Sequence, residues 1–182
     1  MENSLFQTIE SLLRIRPEES KRTWWSFVYL FFGVGSFITS RIARDSLFLE
    51  IPNYKSHLPL TYIVISIAVS ASMFCYAKVE RKLRRDQTNF LTLSVLIVVT
   101  LLFRAWLVEP TELTYWFYYV WVELFGAFLI VQFWAFTNEI FHSRQAKRLF
   151  AIISGGGVLS NIAFGFSIRT LSSTVGTENL LY

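Results

Sequence analysis

Five long apolar stretches follow one another along this chain, separated by short polar segments. They run from about Trp24 to Leu49 (with an apolar body ending at Thr39), Leu58 to Ala77, Phe90 to Val108, Tyr115 to Phe141 and Leu149 to Leu171. A helix crossing a bilayer needs ~20 mostly apolar residues at about 1.5 Å of rise each, and each stretch meets that length. Charged residues make up 16% of the chain and apolar residues 53%, whereas a soluble domain carries roughly 25% charge. So much apolar surface does not fit into one soluble core of this size, and lipid is the implied solvent. The expected fold is all-α, a polytopic membrane bundle of about five transmembrane helices.

Ahead of the first stretch, Leu5, Ile9, Leu12 and Leu13 recur at helical spacing among polar residues, the pattern of a short amphipathic helix on the membrane surface. Pro17 followed by Glu18 and Glu19 marks a break and a fresh helix start. The expected organisation is a cytoplasmic amphipathic segment over residues 1–22 and a helix bundle over 23–182. No signal peptide is visible, because the first apolar run shows no small-residue cleavage pattern. At the other end, Asn179, Leu180, Leu181 and Tyr182 read as the start of a sixth apolar run. The expectation is an incomplete half bundle, finished by further residues, by self-association or by additional membrane subunits.

Orientation follows from Lys and Arg, which concentrate in cytoplasmic segments. The N-terminal tail carries Arg14, Arg16, Lys21 and Arg22, and the second connection carries Lys78, Arg81, Lys82, Arg84 and Arg85. The fourth connection carries Arg144, Lys147 and Arg148. The alternate connections hold only Lys55, or the acidic Glu109 and Glu112. The three basic segments agree on a cytoplasmic N-terminus. The net charge of +4 is thereby accounted for by topology, and nucleic acid is not implied as a partner.

Charges within apolar segments are costly and point to function by default. Arg41, Arg44, Lys55, Arg104 and Arg169 all lie away from the cytoplasmic side. Counted along the helix, Arg41 lies ~25 Å from Trp24 and Arg44 ~30 Å. Glu123 lies ~28 Å from His142, so it too falls in the outer half of the membrane. Snorkelling to the headgroups explains Arg104 and Arg169 adequately. It explains the cluster Arg41, Arg44 and Asp45 less well, since apolar residues resume at Leu47. Glu123 has too short a stem to snorkel, and a partner such as Arg41 or Arg44 makes its burial tolerable. Guanidinium groups bind carboxylate or phosphate in a bidentate manner, so a cavity with arginines and one glutamate suits an anionic small molecule, phosphorylated or carboxylated.

Other patterns are weaker. Gly155, Gly156 and Gly157 lack the Lys-Ser/Thr of a phosphate loop and are expected, with Ser154, Ser160 and Gly165, to allow close helix packing. His57 and His142 fall on opposite sides of the membrane and form no joint metal site. Cys75 lies inside an apolar run as a small core or lipid-facing residue. No nucleophile set or ligand cluster is legible, so no enzyme activity, metal or cofactor is implied.

The stretch ELFGAFLIVQFWAFTNEIF and the following HSRQAKRLFAIISGGGVLSNIAFG resemble the ATP/ADP translocase family of bacteria and plastids, a distant branch of the major facilitator superfamily. The likeness rests on Glu123 with Gly126, Phe133-Trp134, Thr137-Asn138-Glu139, Gln145 to Phe150, Gly155 to Gly157, and Asn161. In the first helix, Ser40-Arg41-Ile42-Ala43-Arg44-Asp45 resembles the family's Leu-Arg-x-x-Lys-Asp, with Arg44 in place of the usual Lys. The resemblance implies ATP/ADP-type exchange across a bacterial inner membrane without hydrolysis. It implies substrate-binding roles for Arg41, Arg44, Asp45, Glu123, Asn138 and Glu139. The family has twelve helices in two halves, so the resemblance covers the first part of one half. The alternative is a structural, anchoring or sensing membrane subunit whose aromatic faces pack against partner chains.

Overall fold

A computed structural model describes residues 16–49, 51–52 and 54–175. The amphipathic stretch of Leu5 to Leu13 and the apolar Asn179 to Tyr182 lie outside the described residues. Among those described, all regular structure is helical: α1 (Pro17–Phe48), α2 (Tyr54–Glu80), α3 (Arg85–Trp106), α4 (Glu112–Ile140) and α5 (Ser143–Val175). All five are long and apolar enough to cross a membrane. Even the shortest such span, the 20 residues of Gln87–Trp106, reaches ~30 Å, the thickness of a hydrocarbon core. The helices begin ahead of the apolar stretches read from the sequence, while α3 stops at Trp106, short of Val108, and α1 and α4 end one residue early. α2, for instance, begins at Tyr54 rather than Leu58 and continues to Glu80 rather than Ala77, because polar turns at the interface propagate a helix as readily as apolar ones do.

The helix starts follow local chemistry. Pro17 occupies the first helical position of α1, where its missing N–H costs nothing, with Glu18 and Glu19 beside it in the first turn. α1 then continues through residues 22 and 23 without a break. α3, α4 and α5 share another device, in which the third helical residue reaches back to the backbone N–H of the preceding cap. Gln87 Oε1 accepts from Arg84 N at 3.3 Å, Thr114 Oγ1 from Thr111 N at 3.2 Å, and Gln145 Oε1 from His142 N at 3.0 Å. Each satisfies a donor that the helix leaves orphaned. Within the spans, hydroxyls turn inward on their own helix. Ser36, Thr61, Ser66, Thr92, Thr100 and Thr137 each donate to the carbonyl four residues earlier, so no hydroxyl among them needs water.

The chain divides into two compact units, one of Met1–Ile38 with Phe133–Ser167, the other of Thr39–Gln132 with Ile168–Tyr182. In the first, Leu30, Phe133, Phe141, Leu149 and Ile153 form the core. The glycine run lets α5 close on α1: a Cβ on Gly156 would stand 2.6 Å from the Phe27 carbonyl oxygen. One turn on, Ser160 Oγ donates to the Phe31 carbonyl at 2.6 Å. Small residues thus bring two backbones within hydrogen-bonding reach, the usual device of membrane helices. Gly35 belongs to the same seam, because a Cβ there would strike the Phe164 ring. Gly165, expected to join it, does not: nothing lies within 4 Å of a Cβ at that position, since it faces outward beside exposed Phe166 and Ser167.

In the second unit, Phe48, Ile51, Ile65 and Tyr119 form the core. α3 joins α4 through the Gln132 amide, which donates to the Asn89 carbonyl at 2.7 Å, and through Trp121 Nε1 on Thr100 Oγ1 at 3.3 Å. The outer face of α3 is lined by exposed Phe90, Ile97, Leu101 and Leu102, a surface that suits lipid and not water. Cys75 is a free, exposed thiol on α2.

Gly156, inside the seam, and Gly165, facing outward, make a paired test. Gly156→Val is expected to lower stability by about 1–3 kcal/mol, the cost of forcing bulk into a packed contact. Gly165→Ala is expected to change it by less than about 1 kcal/mol, since an alanine there meets open space. Thermal unfolding of the detergent-solubilised variants by tryptophan fluorescence checks both. Equal sensitivity at the two positions would remove the seam.

Candidate functional site

Arg44 is buried in the last turns of α1, its side chain 2% exposed. A buried guanidinium is tolerable only if its charge is met, and two carboxylates meet it. Its NH1 donates to Glu123 Oε1 on α4, and its Nε donates to Asp45 Oδ1 at 2.9 Å. The Tyr119 ring, one helical turn before Glu123, lies 4.1 Å from the guanidinium carbon and adds a cation–π contact. Tyr119 is itself held by Phe48, ring centroids 4.6 Å apart, and Phe48 by Trp116 at 5.5 Å. His57 of α2 closes the row against Trp116 at 5.6 Å. The arginine is therefore fixed on one side by an aromatic stack and on the other by acid groups.

Exposure rises across the cluster. The Glu123 side chain is 29% exposed and that of Asp45 51%, so the carboxylates face outward and the cation sits behind them. An anion approaching Arg44 meets a guanidinium whose Nε and NH1 already serve carboxylates. That is the chemistry of an exchangeable ion pair.

Of the residues singled out in the sequence, the structure joins Arg44, Asp45 and Glu123. Between the two partners considered for Glu123, it selects Arg44. Arg41 is exposed and stands three residues before Arg44 on the same helix. Asn138 and Glu139 are exposed on α4 and belong to the other compact unit. Arg104 is half-buried in the last turn of α3, where a cation complements the helix dipole. No group of three or more metal-ligating side chains occurs among the described residues.

Two features escape sequence reading. Tyr119 is one of many aromatics in α4, and nothing in its spacing marks it as the ring beneath Arg44. Glu19, read only as a helix-start residue, is buried (5% exposed). It receives the Arg148 guanidinium and the Gln145 amide at 2.8 Å, tying α5 to α1. A first-turn acid is so common for dipole reasons that its longer-range role leaves no local signature.

Residues 104–180 match the family described as TLC ATP/ADP transporter. The match takes in Glu123, Asn138, Glu139 and the glycine run, while Arg41, Arg44 and Asp45 precede it. No curated protein and no solved structure matches the chain. The family likeness read in the α4–α5 sequence therefore has independent support over that stretch.

Breaking the ion pair from either side is expected to be unequal. Glu123→Leu leaves a buried cation with one exposed partner and should cost about 3 kcal/mol, within the range for orphaning a buried charge. Arg44→Met leaves two acids that already reach solvent and should cost about 1–2 kcal/mol, closer to the loss of a single hydrogen-bonded contact. The double variant should recover part of the Glu123→Leu loss. Thermal melts of the four proteins close the cycle, and simple additivity would mean that the two side chains do not interact.

Proposed function

We propose, from the match of residues 104–180 to TLC ATP/ADP transporters, that this multi-pass membrane chain contributes to a pathway exchanging nucleotides of the ATP/ADP type or a related organic anion. The observation that carries the reading is the buried Arg44 held by the partly exposed Glu123 and Asp45. Arg44 supplies the charge that a phosphate or carboxylate needs. Glu123 is the internal competitor that occupies Arg44 between substrates, and Asp45 holds the guanidinium plane. Exposed Arg41 provides the first electrostatic attraction. Asn138 and Glu139 are assigned to the substrate path on the family likeness alone. The chemistry is transport, with no bond made or broken in the substrate.

Labelled ATP and ADP uptake by bacterial cells expressing the chain tests this. Uptake above an empty-vector control is expected. It should fall at least tenfold with Arg44→Ala, which removes the anion site. Glu123→Gln should retain nucleotide binding by the purified protein yet lose exchange, because nothing then displaces the bound anion. Neither uptake nor binding above control, with the chain verified in the membrane, would overturn the reading.

The proposed location, on the family likeness alone, is a bacterial inner membrane; a cytoplasmic N-terminus is supported by the basic residues flanking α1, α2 and α5. In a Cys75→Ser background, Lys55→Cys should react with an impermeant maleimide in intact cells and Lys82→Cys only after lysis. The reverse pattern would invert the topology.

A further inference from the structure

Between the cytoplasmic-side turns of α1 and the end of α4 lies a cavity of about 390 Å³. Its walls are mostly apolar: Trp25 and Tyr29 from α1, Phe136 and Ile140 from α4, with the hydroxyl residue Ser26 among them. Its rim carries two cations, Lys21 and Arg22, both exposed. All of these residues belong to the first compact unit. Trp25 is 68% exposed, one turn from the two cations, the depth at which indoles mark a membrane–water interface.

The nearby acids do not cancel this charge equally. Glu19 is committed to Arg148 and Gln145. Glu18 borders a neighbouring smaller cavity of about 200 Å³ together with Arg22, and exposed Glu139 stands next to Ile140 on α4. Lys21 and Arg22 remain the charged groups of the larger cavity itself. The site is thus apolar within and cationic at its mouth. A small hydrophilic anion gains nothing from the interior, and a neutral lipid gains nothing from the rim. A molecule with an acyl chain and an anionic headgroup satisfies both.

We infer that this cleft binds an anionic phospholipid of the surrounding bilayer, with its phosphate on Lys21 and Arg22 and an acyl chain against Trp25, Tyr29 and Phe136. Basic pockets between membrane helices at the cytoplasmic surface take such headgroups. The position of the cleft in the cytoplasmic leaflet rests on the proposed orientation, whereas the lipid's chemistry rests on the cavity alone.

The test uses the purified chain in nanodiscs containing brominated phosphatidylglycerol or brominated phosphatidylcholine. Quenching assigned to Trp25 is the part lost in Trp25→Phe. It should favour the anionic lipid by about thirtyfold in apparent affinity, the effect of two basic residues near a bilayer surface. The Lys21→Gln, Arg22→Gln double variant should erase the preference, and a Lys21→Arg variant should keep it. Both variants are solvent-facing changes, and an unchanged thermal melt confirms that the fold is intact. Equal quenching by the two lipids in the unaltered protein would overturn the inference, as would a preference that survives the double variant. Displacement of the brominated lipid by soluble ATP would also overturn it and make the cleft a nucleotide site. Its failure leaves the transport reading standing, because uptake is read through Arg44 and Glu123.

Discussion

A bilayer interior offers no water to a peptide group, and every other feature of this chain answers that one deficit. Backbone pairing must be completed within each segment, which leaves the helix as the economical solution for a single chain of this length. The same deficit reaches the side chains. Thr61, Thr92, Thr100 and Thr137 return their hydroxyls to the carbonyls of their own helices. In water such bonds compete with solvent and count for little. In lipid they remove a group that would otherwise be orphaned. The reach-back bonds of Gln87, Thr114 and Gln145 do the same for the donors at helix starts.

Once each helix is internally complete, hydrophobicity no longer decides how helices meet, because lipid is as apolar as leucine. The chain uses two other means. In the first unit α5 and α1 approach closely enough for Ser160 to bond the Phe31 carbonyl, and Gly156 is the residue that permits it. Near the helix ends the joints are charged: Glu19 receives Arg148 and Gln145. In the second unit Arg44, Glu123 and Tyr119 tie α1 to α4. The contacts differ in what they tolerate. A glycine seam has one good geometry and no chemistry to offer a ligand. An ion pair has exchangeable partners, which is why the candidate site is found there.

This difference governs how much was legible from the residues. The five helices were readable because length and apolarity are properties of single segments. Glu123 was readable as a residue in need of a partner, since a short acidic side chain deep in an apolar stretch has few alternatives. The choice of Arg44 over Arg41 was not, because both lie on α1 three residues apart and only the rotation of that helix against α4 separates them. Gly165 shows the same limit from the other side: it looks like a member of the small-residue seam, yet its face of α5 points away. Tyr119 and the Glu19–Arg148 pair were invisible for a related reason. Aromatics and first-turn acids are so common in such helices that composition assigns them no partner.

On the proposed reading, the closed ion pair also limits what the site is able to transport. Arg44 already enjoys two carboxylates and an aromatic face. A ligand offering a single carboxylate replaces like with like and gains little for the cost of entering. A ligand with several negative charges on adjacent groups replaces Glu123 and retains charge to spare for a second cation such as Arg41. That favours polyphosphates over simple acids without any contact to the rest of the substrate. Glu123 in turn prevents the site from holding such a ligand indefinitely, since it stays beside the guanidinium as a ready replacement. Selectivity for highly charged anions and the capacity to release them then come from one buried arginine and the acid that competes for it.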